Sequence, residues 1–321
     1  MKAFAYSRAS RIEDAVAALD DSCRPLAGGT ELLRLMKAGL AAPERLVSIR
    51  GIPGLAGIER RGGSWHLGAL STLSELAQNQ ALGEHLAVLQ QAARESASPQ
   101  LRRMATLGGN LVQRPRCWYF RKEGVHCWLK GGDRCFAVDG QNQQHALFGG
   151  GPCYAVHPSD PAVALLALEA KVETASPRGR RQMPIADFFR LPRQEAWSET
   201  VLGREELITG VVVPAPPKAA QGVYVKVAER AVWGFALVSV AVQLATDGDA
   251  VRQARVVLGG VAPVPWRSAG AEEALIGRHL TDETIRDAAQ ATTEGAEPMS
   301  QNGYKVDLLR GVVAEALRRL R

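Results

Sequence analysis

None of the apolar runs in this 321-residue sequence approaches the ~20 residues that a helix needs to cross a bilayer. We therefore expect no membrane insertion. The N-terminal residues also lack a continuous apolar segment followed by a small-residue cleavage site, so we expect no secretory signal. The sequence predicts a cytoplasmic chain, or one that is co-exported to the periplasm with a partner that carries a signal.

Aromatic residues are scarce, at 6% of the chain, so side chains on which nucleic-acid bases stack are in short supply. No nucleic-acid-binding motif is present, and we expect no nucleic-acid partner. The formal net charge of +6 is concentrated in residues 94–134, which carry nine Lys or Arg against three acids. This local excess indicates either a surface for phosphates, an anionic cofactor or an acidic partner, or simply a solvated basic loop.

Five cysteines are too few for a disulfide scaffold in a chain of this length. Four of them, however, fall within residues 117–153 with the spacing C-x9-C-x7-C-x17-C: Cys117, Cys127, Cys135 and Cys153. Structural zinc sites usually contain a close C-x2–4-C pair, which is absent here. Four thiolates suit an iron–sulfur cluster or tetrahedral zinc, while scattered buried thiols are the structural alternative. The surrounding segment has few aliphatic residues, which favours a metal site that holds it together.

The order of elements predicts an α+β fold. Residues 1–55 form a small α/β lobe, with helices expected at 10–21 and 31–40 and with Thr30 capping the second. A β-hairpin is expected around Gly62-Gly63, a helix over 81–97 and a loop over 98–111. The last ~100 residues change to strands followed by helices, which predicts a small antiparallel sheet covered by helices.

Two glycine turns are candidate phosphate-binding elements, AGGTELL at residues 27–33 and TLGGN at 106–110. Glycine reaches positive φ and lets the backbone approach an anion closely, and a strand–turn–helix arrangement presents free N–H groups to it. We expect Thr106, Gly108 and Gly109 to expose such groups. A single glycine turn is more often structural, so each motif alone is a weak signal.

The motifs AGGTELLRLMK, ATLGGNL, HPSD, YVKV and FALVSVA, taken in this order, resemble the FAD-binding (medium) subunits of the xanthine dehydrogenase and aldehyde oxidoreductase family of molybdenum hydroxylases. The resemblance covers essentially the whole chain. It implies a two-part FAD-binding module of the vanillyl-alcohol-oxidase (PCMH) type over 1–217, with lobes 1–55 and 56–217, and a flavoprotein C-terminal domain over 218–321. Residues 111–155 form an insert, which resembles the sub-group with an extra 4Fe–4S cluster, of the periplasmic aldehyde oxidoreductase type.

By position, the resemblance implies that the first glycine turn contacts the FAD pyrophosphate and ribityl chain: Arg24, Pro25, Leu26, Ala27, Gly28, Gly29, Thr30, Glu31 and Leu32. Further FAD contacts are implied for Ser96, Ala97, Thr106, Gly109, Asn110, for Asp160 on a ribose hydroxyl, and for Ile208 on the adenine. Lys226 would stabilise the reduced flavin anion, and Phe235 would cover one face of the ring. The cluster ligands would be Cys117, Cys127, Cys135 and Cys153.

The same resemblance implies an oxidoreductase subunit with two partners. A large subunit with a molybdenum cofactor would oxidise aldehydes, N-heterocycles or purines, and a small subunit with 2Fe–2S clusters would pass electrons to FAD in this chain. Two alternatives remain open. One is a stand-alone FAD oxidase of the same fold, and the other is a zinc-bearing binding module without enzymatic activity.

Overall fold

A computed structural model describes residues 1–193 and 198–321. The N-terminal lobe contains a three-stranded parallel sheet in the order β1-β3-β2. Its crossovers are short helices, as the predicted α/β lobe requires. The elements are β1 (Ala5–Arg8), α1 (Ile12–Ala18), β2 (Cys23–Leu26), α2 (Leu32–Lys37) and β3 (Arg45–Ser48).

The larger lobe is built on a five-stranded antiparallel sheet in the order β4-β5-β8-β6-β7. Its helices lie between the second and third strands of this sheet in the sequence. The elements are β4 (Ile58–Arg61), β5 (Ser64–Gly68), α3 (Leu73–Gln78), α4 (Gln80–His85), α5 (Ala87–Glu95), α6 (Pro99–Arg102), α7 (Leu107–Leu111), α8 (Trp118–Arg121), α9 (Asp160–Ala167), β6 (Lys171–Ser176), β7 (Gly179–Pro184) and β8 (Leu207–Val213). Single 3-10 turns occur at Trp128–Lys130 and Ile185–Asp187.

The C-terminal part is a four-stranded antiparallel sheet in the order β12-β11-β10-β9, followed by three helices, as predicted. The elements are β9 (Ala220–Ala228), β10 (Ala236–Asp247), β11 (Ala250–Gly259), β12 (Trp266–Arg267), α10 (Ala269–Leu275), α11 (Asp282–Ala291) and α12 (Tyr304–Arg318). The predicted α+β class is confirmed.

The C-terminal sheet is buried on both faces, and this joins it to the larger lobe. Side chains alternate along a strand. Accordingly, Ala241 and Val257 belong to the core that contains α5 and α9, whereas Val240 and Val256 belong to the core that contains α10, α11 and α12. The cleft described below therefore has a wall from the C-terminal sheet as well as from the N-terminal lobes.

Several local predictions are wrong in detail. The hairpin at Gly62-Gly63 is present, but the helix predicted over 81–97 is two helices, α4 and α5, which meet at Leu86. The loop predicted over 98–111 contains α6 and α7. Thr30 does not cap α2. The N-cap is Glu31, whose side chain makes no capping bond because it binds arginines of the insert instead.

The insert 111–155 is mostly irregular. Its buried apolar side chains include Phe120 and Trp128, and they pack on Leu35 of α2 together with Cys127 and Cys153. The insert therefore shares a small core with the N-terminal lobe. Across residues 1–193 and 198–321, no helix is both long and apolar enough to cross a membrane.

Candidate functional site

The first glycine turn links the end of β2 to the start of α2. Gly29 has φ +73°, a conformation that favours glycine. Gly28 is required for a different reason, because a Cβ there would lie 1.6 Å from the carbonyl oxygen of Met104. The turn thus packs backbone-to-backbone against the segment that leads into the second glycine turn. The two turns converge, as the sequence predicts.

The backbone N–H groups of residues 28–32 have no hydrogen-bond acceptor within the described chain. The first intrahelical bonds of this region are donated later, by Leu33 to Gly29 and by Leu35 to Glu31. A row of consecutive free N–H groups at a turn is a concave donor surface that suits phosphate oxygens. This is the arrangement expected of a dinucleotide pyrophosphate site.

The second glycine turn has a different role from the predicted one. Its N–H groups are not free, since Gly108 donates to the Ala69 carbonyl at 2.8 Å and Gly109 donates to the Thr106 hydroxyl at 3.3 Å. Gly108 also packs on Ala69, with only 3.0 Å for an added Cβ. The prediction that Gly108 and Gly109 expose N–H groups is therefore wrong, because α7 docks directly on the strand end at residue 69.

An open cleft lies between the first glycine turn, α7 and the loop of residues 229–235. Its walls bring together many of the predicted residues: Thr30, Glu31, Ser96, Ala97, Gly109, Asn110, Asp160 and Phe235. Lys226 lines an adjoining pocket that shares Ala97 with this cleft. The cleft is the candidate flavin site, and all three parts of the chain contribute to it.

The other predicted residues are not among those that line these two pockets. Ile208 is in β8 and is buried in the core beneath the five-stranded sheet, and it lines neither pocket. The Arg24 guanidinium donates to the carbonyls of Asp20, Asp21 and Cys23. Thr106 caps α7. Pro25 and Leu26 are in β2, Ala27, Gly28 and Gly29 form the turn, and Leu32 begins α2. The contacts implied for these residues stay predictions.

Two non-glycine residues of the cleft have positive φ, Ala97 at +52° and Trp233 at +60°. Such backbone conformations cost free energy and tend to occur at binding sites. The Arg102 guanidinium holds the Ala97 backbone in place, because it donates to the carbonyls of Ser96 and Ala97 at 2.9 and 3.1 Å. Trp233 and Phe235 are substantially exposed, which places aromatic surface at the mouth of the cleft.

Asp160 and Lys226 form a buried ion pair, 2.8 Å between Oδ2 and Nζ. The Tyr224 hydroxyl donates to the other carboxylate oxygen at 2.7 Å, and Ser96 donates to Oδ2 at 3.1 Å. Burial, followed by the Asp160 charge, raises the pKa of Tyr224. The charge of Lys226 is therefore neutralised within the protein, a contact that the sequence did not reveal.

Glu31 connects the first glycine turn to the insert. Its carboxylate accepts from Arg116 and from Arg121, each at 2.6 Å, and from the backbone N–H of Arg114. The Arg116 guanidinium also lies over the Phe235 ring, 4.7 Å from its centroid. Burial lowers the pKa of Arg116 to about 10. Arg116 thus contacts both lobes and the C-terminal part, and the basic composition of residues 94–134 was its only signal in the sequence.

The four cysteines of the insert approach one another. The neighbouring Cys153 thiol lowers the pKa of Cys135, while Cys135 and burial raise the pKa of Cys153. Cys117 lies within electrostatic range of Cys127 and Cys135, although burial raises its pKa to about 11. Cys23, by contrast, is buried in the separate core of the N-terminal lobe.

The His145 imidazole contacts one of these cysteines, with Nε2 3.3 Å from the Cys117 sulfur. Burial, followed by the charge of Lys305, lowers its pKa to about 4, so the ring is neutral. No three His, Cys, Asp or Glu side chains are grouped around a single point that one metal ion could occupy, within residues 1–193 and 198–321.

Residues 2–216 match the family described as the FAD-binding domain in molybdopterin dehydrogenase, and residues 223–320 match the carbon monoxide dehydrogenase flavoprotein C-terminal domain. The chain is 38% identical to the aldehyde oxidoreductase FAD-binding subunit PaoB of Escherichia coli K12, over 99% of this chain and 98% of that protein. It is 28% identical to the nicotine 6-hydroxylase medium subunit of Paenarthrobacter nicotinovorans, over 99% and 96%. Its fold matches a carbon monoxide dehydrogenase structure from Hydrogenophaga pseudoflava with a TM-score of 0.78 and 27% identity, covering 99% and 96% of the two chains.

Proposed function

Because this chain belongs to the xanthine and carbon monoxide dehydrogenase family of FAD-binding medium subunits, we propose that it is the FAD- and 4Fe–4S-containing electron-transfer subunit of a molybdenum hydroxylase complex that oxidises aldehydes. An oxidoreductase role and FAD binding follow from the family. The iron–sulfur cluster, the substrate and the partner subunits are the proposed parts, as is a division into domains at residues 217 and 218.

The free N–H groups of residues 28–32 are the observation that carries FAD binding at this place. They would hold the pyrophosphate, since oriented backbone donors bind anionic oxygens without any side-chain charge. Gly28 and Gly29 allow the backbone to reach the ligand, and Ala97, Trp233 and Phe235 would enclose the ring. When bound, FAD supplies one- and two-electron redox chemistry. The protein contributes position, exclusion of water and charge.

The resemblance implied a ribose contact for Asp160 and a flavin contact for Lys226, and both roles remain proposals. The ion pair between them supports a positioning role, because it ties α9 to β9 at the edge of the cleft. Lys226 would present a neutralised rather than a free positive charge. Arg116 lines the cleft itself, and its charge is only partly compensated, since Glu31 faces two guanidinium groups.

The insert fits a 4Fe–4S cluster by the chemistry of its donors. The insert supplies four thiols, and soft thiolate ligands select iron–sulfur clusters or zinc. A zinc ion requires its four ligands on one centre at about 2.3 Å. A 4Fe–4S cluster binds one cysteine per iron, so its four sulfurs lie further apart. The interactions of Cys135 with Cys153, and of Cys117 with Cys127 and Cys135, support the cluster.

Aldehydes are proposed as the substrate class because identity is 38% to an aldehyde oxidoreductase subunit, against 28% to the nicotine and carbon monoxide enzymes. Relatives named medium subunit or medium chain support a large molybdenum subunit and a small 2Fe–2S subunit as partners. An N-heterocycle or purine is the second candidate, supported by the nicotine 6-hydroxylase relative.

The test is flavin and metal analysis of the complex purified with its partners, together with EPR of the reduced sample. We expect one FAD per chain and iron in excess of that in the 2Fe–2S clusters. Zinc in place of this iron would support the binding-module alternative. The chain purified alone should not have its flavin reduced by aldehydes. Direct reduction would instead establish the stand-alone oxidase.

A further inference from the structure

The side chain of Asn110 is held by a residue from far along the chain. Asn110 belongs to α7 and lines the candidate flavin cleft. Its side-chain oxygen, Oδ1, accepts a hydrogen bond from the hydroxyl of Ser159, which directly precedes α9. Ser159 is not among the residues that line the cleft. This hydrogen bond therefore fixes the side chain of a cleft residue from behind the cleft wall, where α7 packs against α9.

The Ser159 hydroxyl has two hydrogen bonds, with a different role in each. Its oxygen accepts from the backbone N–H of Ala162 at 3.1 Å, because Ser159 is the N-cap of α9. Its single hydrogen is donated to Asn110 Oδ1, the acceptor available to it in the described part of the chain. Ser159 is only 2% exposed, so solvent is not an alternative partner for this hydrogen.

The bond from Ser159 decides which end of the Asn110 amide faces the helix. A side-chain amide has an oxygen that accepts hydrogen bonds and an NH2 group that donates them. If the amide were turned round, the NH2 group would face Ser159 and the buried hydroxyl hydrogen would have no acceptor, which is unfavourable. Ser159 therefore holds the oxygen and leaves the NH2 group, Nδ2, as the free end of the side chain.

The free end of Asn110 is a donor that the second glycine turn can offer to a ligand. Among residues 1–193 and 198–321, Nδ2 donates to no protein atom, and Asn110 is half-buried where it lines the cleft. The backbone N–H groups of Gly108 and Gly109 are already used within the protein. The amide of Asn110 thus supplies the kind of contact that these backbone groups were expected to make.

We propose that Ser159 is a positioning residue for FAD, which orients the Asn110 amide so that Nδ2 donates to an acceptor atom of the bound cofactor. This inference rests on the proposed function, because it requires FAD in the cleft. Ser159 acts through Asn110 and does not itself touch the cofactor. The N-cap of α9 thereby has a second task, since the same hydroxyl begins a helix and presents a donor to the ligand.

A double-mutant cycle on FAD affinity tests this role, with the flavin-free full chain titrated with FAD. Asn110→Ala and Ser159→Ala should each weaken FAD binding by about tenfold, the effect of losing roughly one hydrogen bond. The double variant should bind FAD no more weakly than Asn110→Ala alone, because Ser159 then has no amide to orient. Additive losses, about a hundredfold in the double variant, would overturn the proposal and leave Ser159 with a structural role only.

Thr281→Ala is the matched control for the loss of a helix cap. Thr281 is the N-cap of α11, where its hydroxyl accepts from the backbone N–H of Thr284, and α11 does not line the cleft. Thr281→Ala should lower the unfolding temperature, as Ser159→Ala does, but it should bind FAD like the native protein. Equally weakened FAD binding in Thr281→Ala would overturn the proposal, because loss of any cap would then loosen the site.

Two further measurements keep the proposal separate from folding defects and from the FAD assignment. The visible circular dichroism of bound flavin should change alike in Asn110→Ala and Ser159→Ala and stay native in Thr281→Ala. If Ser159→Ala fails to fold, a crystal structure of the native chain with FAD decides. Asn110 Nδ2 should lie within hydrogen-bond distance of an FAD acceptor, and its absence there would overturn the proposal. A native chain that binds no FAD would instead refute the proposed function.

Discussion

Glu31 and Arg116 are joined by a 2.6 Å ion pair that connects the first glycine turn to the residue immediately before Cys117. The proposed flavin site and the proposed cluster site are thus joined by a direct side-chain contact. The free N–H groups of residues 28–32 belong to the turn that contains Glu31, and Cys117 follows Arg116 directly in the chain. The following predictions test the parts of this arrangement separately.

Replacing Gly28 by alanine should abolish FAD binding. The new Cβ would lie 1.6 Å from the Met104 carbonyl oxygen, so the turn must move away from the α7 segment. Flavin content, from the ratio of visible to ultraviolet absorbance, is the measurement. Gly51→Ala is the control, because Gly51 has open space for a Cβ and no positive φ. Equal flavin content in both variants would contradict the assignment of the turn.

Cys117→Ser should remove most of the iron and loosen residues 111–155, with part of the FAD retained. The reason is that a cluster with three cysteine ligands is held less firmly and the insert has little core of its own. Iron content and limited proteolysis are the measurements. Cys23→Ser should keep its iron, since Cys23 belongs to the core of the N-terminal lobe. Full iron content in Cys117→Ser would argue against Cys117 as a ligand.

Lys226→Met should destabilise the chain by about 3–5 kcal/mol, because it leaves the Asp160 carboxylate buried without its cation. The pair is almost fully enclosed, with side-chain exposures of 4% and 7%. Urea unfolding measures the change. The exposed pair Arg252–Asp247 provides a comparison, and Arg252→Met should cost less than about 1 kcal/mol. A double variant, Lys226→Met with Asp160→Asn, should recover part of the loss, since no uncompensated charge remains.

Lys305 should make stability depend on pH between about 7 and 10.5. Burial lowers its pKa from 10.5 to about 7, so within this window the unfolded chain binds a proton that the folded chain does not. Stability therefore rises with pH across the window, by at most about 1.4 kcal/mol per pH unit from this group. Below pH 7 both states are protonated and the dependence ends.

The Lys305→Met variant isolates this effect. It removes hydrogen bonds to the carbonyls of His145 and Gly260, which lowers stability at every pH, but it also removes the titration. The stability difference between native and variant proteins should therefore increase from pH 7 to pH 9.5 in urea unfolding. A constant difference would show that Lys305 is charged in the folded state throughout the window.

The α+β class, the hairpin at Gly62-Gly63, the two glycine turns and the strands-then-helices order of the C-terminal part were all predictable from the sequence. These features depend on local patterns: apolar periodicity, turn glycines and β-branched runs. The family was predictable for a related reason, since its motifs are short and keep their order along the chain. The four cysteines were visible because their residue type alone marks them.

The contacts made by individual site residues were not predictable. The N–H groups of Gly108 and Gly109 were expected to be free, but Gly108 donates to Ala69, an acceptor that is known only once α7 has docked. Thr30 had the composition of a helix cap, yet Glu31 occupies that position because two distant arginines hold its side chain. Arg116 looked like any other polar residue of a basic loop.

The sequence by itself therefore determined the kinds of elements, their order, and the residue types available for a dinucleotide and a metal cluster. The tertiary structure decided which donors remain free and which charges are neutralised. The physical reason is that hydrogen-bond satisfaction and charge compensation depend on partners from far along the chain, such as Lys226 for Asp160. Short-range patterns contain no information about those partners.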